Sequence, residues 1–508
     1  MSNSSKPASA TIFIFLVAIA LARSSNLDTI GVTVLRATTT NLNGAGIRVA
    51  QPEAGYTQSE QYTNWEINPG AVEKPMGFFT YISAAGSTNH FPNSLSSESG
   101  HADSVAANFY GLPNGVATNV AHVDNFDANY FVQVSEVPTP LTTNYTVTLF
   151  ASNNDSIVNQ SFVFADSGGS VPTNEQAAID SAYDNFAAQH NVLFVSGAGN
   201  GSPPRVCPPA TCYNGIGVGA SLAQVPSSHV GPTLDNGRCK PDLTAPSSVT
   251  SFSTPLVAGA AAILMQAGLR GDGGSDTNSA ADIRTVKALL LNGAVKPIGW
   301  TNSNSSPLDA RYGAGVLNVF NAYEQLVGGK HGYIENTVTT SVSNGAHPPT
   351  DATGTITNLS GWDFNTNTSG NGSIANPGLT NSINHYYFNL TNGTEFVVTA
   401  TLVWNRPNDS MVFLPDPQII NNLDLFLYDC ANSNLVNCST SLVDNVEHIH
   451  TTSLPAGRYD LQVWKAGGDN IVSASETYAL AWEFFSQNLS AQKSGTNLIL
   501  SWPVYPAG

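Results

Sequence analysis

The spacing of apolar positions changes its rule once along this chain, near residue 380. From residue 47 to about residue 327, short apolar runs alternate with stretches whose apolar residues recur every three or four positions. The runs at 47–50, 120–123, 192–195 and 216–219 predict strands, and the stretches 101–110, 174–189, 252–268 and 281–293 predict helices. Alternation of this kind implies a mostly parallel sheet flanked by helices, an α/β fold. Beyond residue 380 the period falls to two, at 385–390, 395–404, 423–428, 458–464 and 478–485, with Gly, Pro and Asn turns between the runs and no helical period. That pattern predicts an all-β antiparallel sandwich.

The boundaries follow from the same reading. Lys6, the apolar run TIFIFLVAIALA at 11–22 and the A-x-A pattern at Ala20-Leu21-Ala22 predict a signal peptide over 1–22. The run is too short to span a bilayer, which takes roughly 20 residues. No later segment is expected to cross a membrane. Residues 23–43 read as a short polar pre-region, 44–330 as the α/β domain, and 335–380 as loops and linker with one edge strand. Residues 381–488 read as the sandwich, and 489–508 as the start of a further, truncated module.

Composition narrows the classes. The chain has 508 residues, 18 Lys+Arg against 36 Asp+Glu, and a net charge of −18. An acidic surface does not meet phosphate, so nucleic-acid binding is excluded. Many Asn, Ser, Thr and Gly, with few charges, suit an extracellular protein. Of the five cysteines, Cys207/Cys212 and Cys430/Cys438 are each close enough in sequence to form a short disulfide loop, with Cys239 left over; five free thiols are the alternative.

Candidate chemistry centres on residues 250–259, Thr-Ser-Phe-Ser-Thr-Pro-Leu-Val-Ala-Gly, where a polar turn enters an apolar helix. Ser251 is placed at the expected N-cap, where unpaired N–H groups and the helix dipole favour developing negative charge. A serine there also serves as a plain cap. The string resembles the nucleophile motif of the subtilisin-like serine proteases (subtilases), Gly-Thr-Ser-x-Ala/Ser-x-Pro, with Val249 in place of the leading Gly. Residues 237–246, Gly-Arg-Cys-Lys-Pro-Asp-Leu-Thr-Ala-Pro, resemble the same family's approach to that helix, and the resemblance runs over about 44–327.

The resemblance implies three further site residues. His101, in Glu98-Ser-Gly-His-Ala-Asp-Ser-Val-Ala106, matches the family's histidine at a helix start, although Ala102, Asp103 and Ser104 replace the usual Gly, Thr and His. An imidazole there takes the serine's proton and returns it to the leaving amine. Glu53, in Gly44-Ala-Gly-Ile-Arg-Val-Ala-Gln-Pro-Glu-Ala-Gly55, stands where the family's first strand carries Asp, and would orient His101. Asp103 and Asp124 are the fallback acids. Asn200, in Phe194-Val-Ser-Gly-Ala-Gly-Asn-Gly201, matches the family's oxyanion donor, and Ser161 lies on a strand resembling its substrate cleft.

The implied function is a secreted serine endopeptidase, extracellular or at the cell surface, acting on polypeptide as a monomer without a cofactor. Calcium accompanies many members of the family, but no acidic cluster here specifies it. The alternative is a catalytically inactive subtilase-fold module used for surface binding or structure. The Glu at the acid position, the altered histidine helix and the short pre-region favour that alternative. In the β part, Asp424 is read as a solvated strand-face residue rather than a calcium ligand. Trp404, Trp464 and Trp482 are read as core rather than a carbohydrate platform.

Overall fold

The structure is a computed structural model that describes residues 25–59, 62–89, 91, 96–138, 143–164, 171–334, 339–341, 353–369, 381–406, 420–467, 472–486, 490–494 and 497–501. The segment read as a signal peptide lies outside these residues.

Eight strands form the first sheet: β1 (Arg48–Glu53), β2 (Phe79–Ile82), β3 (Thr88–Asn89), β4 (His122–Asp127), β5 (Ile157–Gln160), β6 (Leu193–Gly197), β7 (Ile216–Ala220) and β8 (Leu243–Ala245). Their spatial order is β8-β7-β6-β5-β1-β4-β2-β3, parallel throughout except for the β2–β3 edge hairpin. Strands β5, β6, β7 and β8 are buried at every position, as expected of a sheet covered on both faces. The chain enters the sheet at β1, in the middle, then fills one side and then the other. Loops leaving the carboxyl ends of the central strands therefore diverge around a crevice, the usual place for a site in open α/β sheets.

Helices α1 (Gly100–Phe109), α2 (Thr173–His190), α3 (Thr250–Arg270), α4 (Ile283–Asn292) and α5 (Val319–Val327) flank the sheet. Helix α3 is built of Ala, Leu, Ile, Val and Gly and ends at Gly271, whose φ of 87° is the left-handed conformation that closes a helix without a Cβ penalty. At 21 residues it is long and apolar enough to cross a bilayer, contrary to the expectation that no such segment follows the signal. In the fold, however, 83% of its most apolar window is buried, so it serves as the domain's central helix. It packs tightly: a Cβ on Gly259 would fall 2.5 Å from Val116 Cβ.

Residues in the stretch read as a polar pre-region also join this core. Ile30, Val32, Leu35 and Leu42 are buried in it, and the Ile30 carbonyl accepts the Val319 N–H. Arg36 donates to the Gly115 and Val116 carbonyls. The segment lacks a clear period because its helical parts, Asn26–Thr29 and Val32–Thr38, are each no more than about two turns long.

A buried ionic cluster ties β8 to α4. Asp242 meets Lys240 at 2.6 Å and Lys287 at 3.1 Å, and accepts the Gly217 N–H. Burial alone would raise the Asp242 carboxyl, but the two ammonium groups outweigh it and hold the pKa below its usual value. Asp242→Asn leaves both lysines buried with no counter-charge, and is expected to cost about 3–5 kcal/mol of stability. Chemical denaturation read by fluorescence checks this; an unchanged midpoint contradicts it.

The C-terminal part is an antiparallel sheet. Strands β9 (Ser360–Thr368), β10 (Asn381–Trp404), β11 (Leu423–Asp429), β12 (Asn434–Ser439), β13 (Val446–Lys465) and β14 (Ser475–Ser486) lie in the order β9-β14-β10-β13-β11-β12, with Thr339–Ser341 paired to β10. β9 is the edge strand expected within 335–380. The runs at 385–390 and 395–404 are one strand, β10, which passes through a register shift between Leu390 and Glu395. Trp404, Trp464 and Trp482 are buried. Asp424 is buried too, 1% exposed, and burial pushes its carboxyl up to about 8, so it is not the solvated residue expected. The last described residues form a hairpin of Ser490–Ser494 with Asn497–Ser501.

The sheet docks on the α/β domain through polar contacts. Thr399 and Thr401 donate to Asn292 Oδ1, Asn445 donates to the Tyr213 carbonyl, and Asp444 accepts the Cys239 N–H at 2.8 Å.

Neither expected disulfide is formed. Cys212, Cys239, Cys430 and Cys438 are thiols. Cys438 faces Phe426 in the β11–β12 hairpin, whereas Cys430 lies past Asp429 at the turn. That offset is roughly 13 Å at ~3.3 Å per residue, while a bridge needs Cα atoms within about 7 Å. Cys207 Sγ donates to the Arg205 carbonyl, and Cys212 Sγ packs against Gly215.

Candidate active site

Glu53 is the last residue of β1 and 2% exposed. Its Oε2 lies 2.9 Å from His101 Nδ1. His101 is in the first turn of α1, which begins after Ser99, whose hydroxyl accepts the Ala102 N–H. Ala102, Val105, Ala106 and Phe109 bury the opposite face of that helix and fix where the imidazole stands. Burial of the ring lowers its pKa, but the hydrogen bond and charge of Glu53 outweigh this, and the net shift is upward from 6.5.

A relay behind the carboxylate fixes its orientation. Gln51 precedes Glu53 by two on β1 and so shares its face of the sheet. The Tyr110 hydroxyl donates to Gln51 Oε1 (2.7 Å), which leaves Gln51 Nε2 to donate to Glu53 Oε1 (2.8 Å) and to the Ala102 carbonyl (3.0 Å). The signal that could have identified Gln51 is its place two residues before Glu53, on the same face of a strand.

The fallback acids lie elsewhere. Asp124 pairs with Arg48 and His122 at the amino end of β1, opposite Glu53. Asp103 accepts the Asn68 N–H, and burial with the nearby charges of Glu98 and Glu53 pushes it up to about 7.

Ser251 is not the N-cap. Val249 is, with extended φ −145° and ψ 151° and no side-chain cap bond, so Ser251 is the second residue of α3. Phe252, next to it, has its ring 5.9 Å from the His101 ring, so the two helix starts face each other. Pro255 has no N–H to give the Ser251 carbonyl, its i→i+4 acceptor. The Ser161 hydroxyl, just beyond β5, donates to that carbonyl instead (2.8 Å). Ser161, expected on a cleft strand, thus holds the start of α3 through its side chain. Ser161→Ala leaves a half-buried acceptor without its donor, and is expected to cost about 1 kcal/mol. A thermal melt of the variant checks this, and an unshifted transition contradicts it.

Asn200 follows β6 in an exposed loop. Its Oδ1 accepts the Thr250 N–H at 2.9 Å and the Thr250 hydroxyl at 3.2 Å. A backbone N–H only donates, so the amide's oxygen is the end that faces Thr250 and its NH₂ remains available to a ligand. The loop can approach so closely because residue 197 is glycine: a Cβ there would meet the Thr254 and Thr250 hydroxyls at 3.1 and 3.3 Å.

Glu53, Ser161 and Asn200 therefore stand at or just past the carboxyl ends of the adjacent strands β1, β5 and β6. The starts of α1 and α3 bring His101 and Ser251 to the same edge. A buried carboxylate on one nitrogen of an imidazole fixes its tautomer and stabilises its cation. Helix-start N–H groups and a fixed amide stabilise an oxyanion. Among the described residues no group of three or more His, Cys, Asp or Glu is arranged to hold a metal.

Residues 79–315 match the family model described as the subtilase family, and the α/β part of the chain that contains them has a subtilisin-like architecture. The match includes His101, Asn200 and Ser251 and begins after Glu53. No curated protein matches the chain. Among solved structures, the prenylagaramide maturation protease PagA aligns at 21% identity over 58% of this chain and 98% of its own, with a TM-score of 0.36. The patellamide maturation protease PatA aligns at 21% identity over 56% of this chain and 98% of its own, also with a TM-score of 0.36.

Proposed function

We propose that the protein is a secreted serine endopeptidase. Ser251 attacks the peptide carbonyl, His101 takes its proton and delivers it to the leaving amine, and Glu53 holds His101 in the required tautomer. Asn200 and the N–H of Ser251 receive the oxyanion. The observation that carries this reading is the hydrogen bond between His101 Nδ1 and the buried Glu53 carboxylate. Glu is chemically adequate where the family has Asp, because either carboxylate accepts the imidazole N–H. The export reading rests on the Lys6 flank, the apolar run and the A-x-A pattern. The mechanism needs no cofactor and no second copy of the chain.

Incubation with denatured casein, followed by sequencing of the new termini, tests the reading. The expected result is internal cleavage that is lost on pre-treatment with a sulfonyl fluoride. Intact casein after prolonged incubation with folded protein contradicts it and leaves the inactive-module reading.

A further inference from the structure

The loop that presents Asn200 has little ladder structure of its own. Gly199 and Gly201, on either side of the asparagine, have φ of 107° and 106°. One residue from a segment distant in sequence is fitted into this loop. The backbone N–H of His229 donates to the Gly199 carbonyl at 3.0 Å, and its ring Nε2 lies 3.2 Å from the Gly201 carbonyl. A carbonyl only accepts, so Nε2 carries the proton. The ring also fills the space beneath Gly199, where a Cβ would fall 2.5 Å from His229 Nδ1. His229 is 4% exposed, and burial holds its pKa below the ordinary value, which keeps the ring in the neutral form.

We propose that His229 is a positioning residue for Asn200: it clamps the backbone on both sides of the asparagine while Thr250 holds the side-chain oxygen, so that the amide NH₂ is fixed before substrate arrives. This rests on the assignment of Asn200 to the oxyanion. A donor aimed in advance stabilises the transition state without reorganising at the moment of reaction. Without the ring, that side of the loop keeps, among the described residues, only the bond from the Gly201 N–H to the Pro226 carbonyl (2.9 Å), so the loop still binds substrate but loses that aim. The loss therefore belongs in kcat rather than KM, and it acts only through Asn200.

The test is a double-mutant cycle on peptide hydrolysis by the full chain. Asn200→Ala is expected to lower kcat by about 10²–10³-fold. His229→Ala is expected to lower kcat by at least about 10-fold, bounded by the Asn200 loss, with little change in KM. In the Asn200→Ala background, His229→Ala is expected to change kcat less than about 2-fold, because the group it positions is gone. His229→Gln, whose amide reaches the Gly201 carbonyl, restores most of kcat, while the shorter His229→Asn does not. If His229→Ala does not fold, the Gln and Asn variants carry the same comparison in both backgrounds. Equal losses with and without Asn200, or no loss in its presence, overturn the role of His229. A wild-type chain that shows no Ser251-dependent hydrolysis overturns the peptidase reading itself, so the two failures are distinguishable.

Discussion

Ser251→Ala is expected to reduce kcat by about 10⁶-fold while leaving the fold intact, as removal of the nucleophile does where serine and histidine act as one unit. The hydroxyl is not used for structure: no side-chain cap bond forms at the start of α3, where Val249 is the capping residue. Ser161 reaches the backbone carbonyl of Ser251 rather than its hydroxyl, so that contact survives the substitution. The melting temperature should therefore change little. His101→Ala is expected to cost a similar factor, and the double variant no more than either single one, because proton transfer without a nucleophile accomplishes nothing. Stepwise addition of the two losses in steady-state assays contradicts the assignment.

Glu53→Gln is expected to lower kcat by about 10⁴-fold, the scale at which a triad with the wrong histidine tautomer works. The hydrogen-bond relay dictates the outcome. Tyr110 pins Gln51 Oε1, so Gln51 Nε2 stays directed at residue 53 and demands an acceptor there. A glutamine at 53 must then give its carbonyl oxygen to Gln51 and its NH₂ to His101 Nδ1. That forces the proton onto Nε2, and the ring can no longer accept one from Ser251. The pH profile shifts as well. In the wild type the net effect of Glu53 is to raise His101 above 6.5, so activity falls as pH drops through a value above 6.5. With the charge removed and burial still acting, the residual activity's acid limb is expected below 6.5. A limb that stays in place in kcat/KM measurements means that Glu53 does not face the titrating histidine.

The α/β architecture was legible because its elements carry strong local signals. Buried parallel strands such as 193–197 and 216–220 are unbroken apolar or small-residue runs, and α3 is an apolar helix closed by a glycine. The places of His101, Asn200 and Ser251 in the fold were legible because each sits where a strand or turn gives way to a helix or loop. What stayed hidden was settled at long range. Whether Ser251 or Val249 caps α3 depends on the φ and ψ of one residue. Pro255 announces an orphan carbonyl at 251, but nothing local says that Ser161 satisfies it. The cysteine spacing suggested loops that the β11–β12 register does not permit.

The central claim is that Ser251 is made nucleophilic by His101 and Glu53. Treating the folded chain with a fluorophosphonate probe at neutral pH, and locating the adduct by peptide mass spectrometry, tests it most directly. The account predicts one adduct, on Ser251, that is absent in Ser251→Ala and forms far more slowly in Glu53→Gln. Folded protein that stays unlabelled, or an adduct on a different residue, contradicts it.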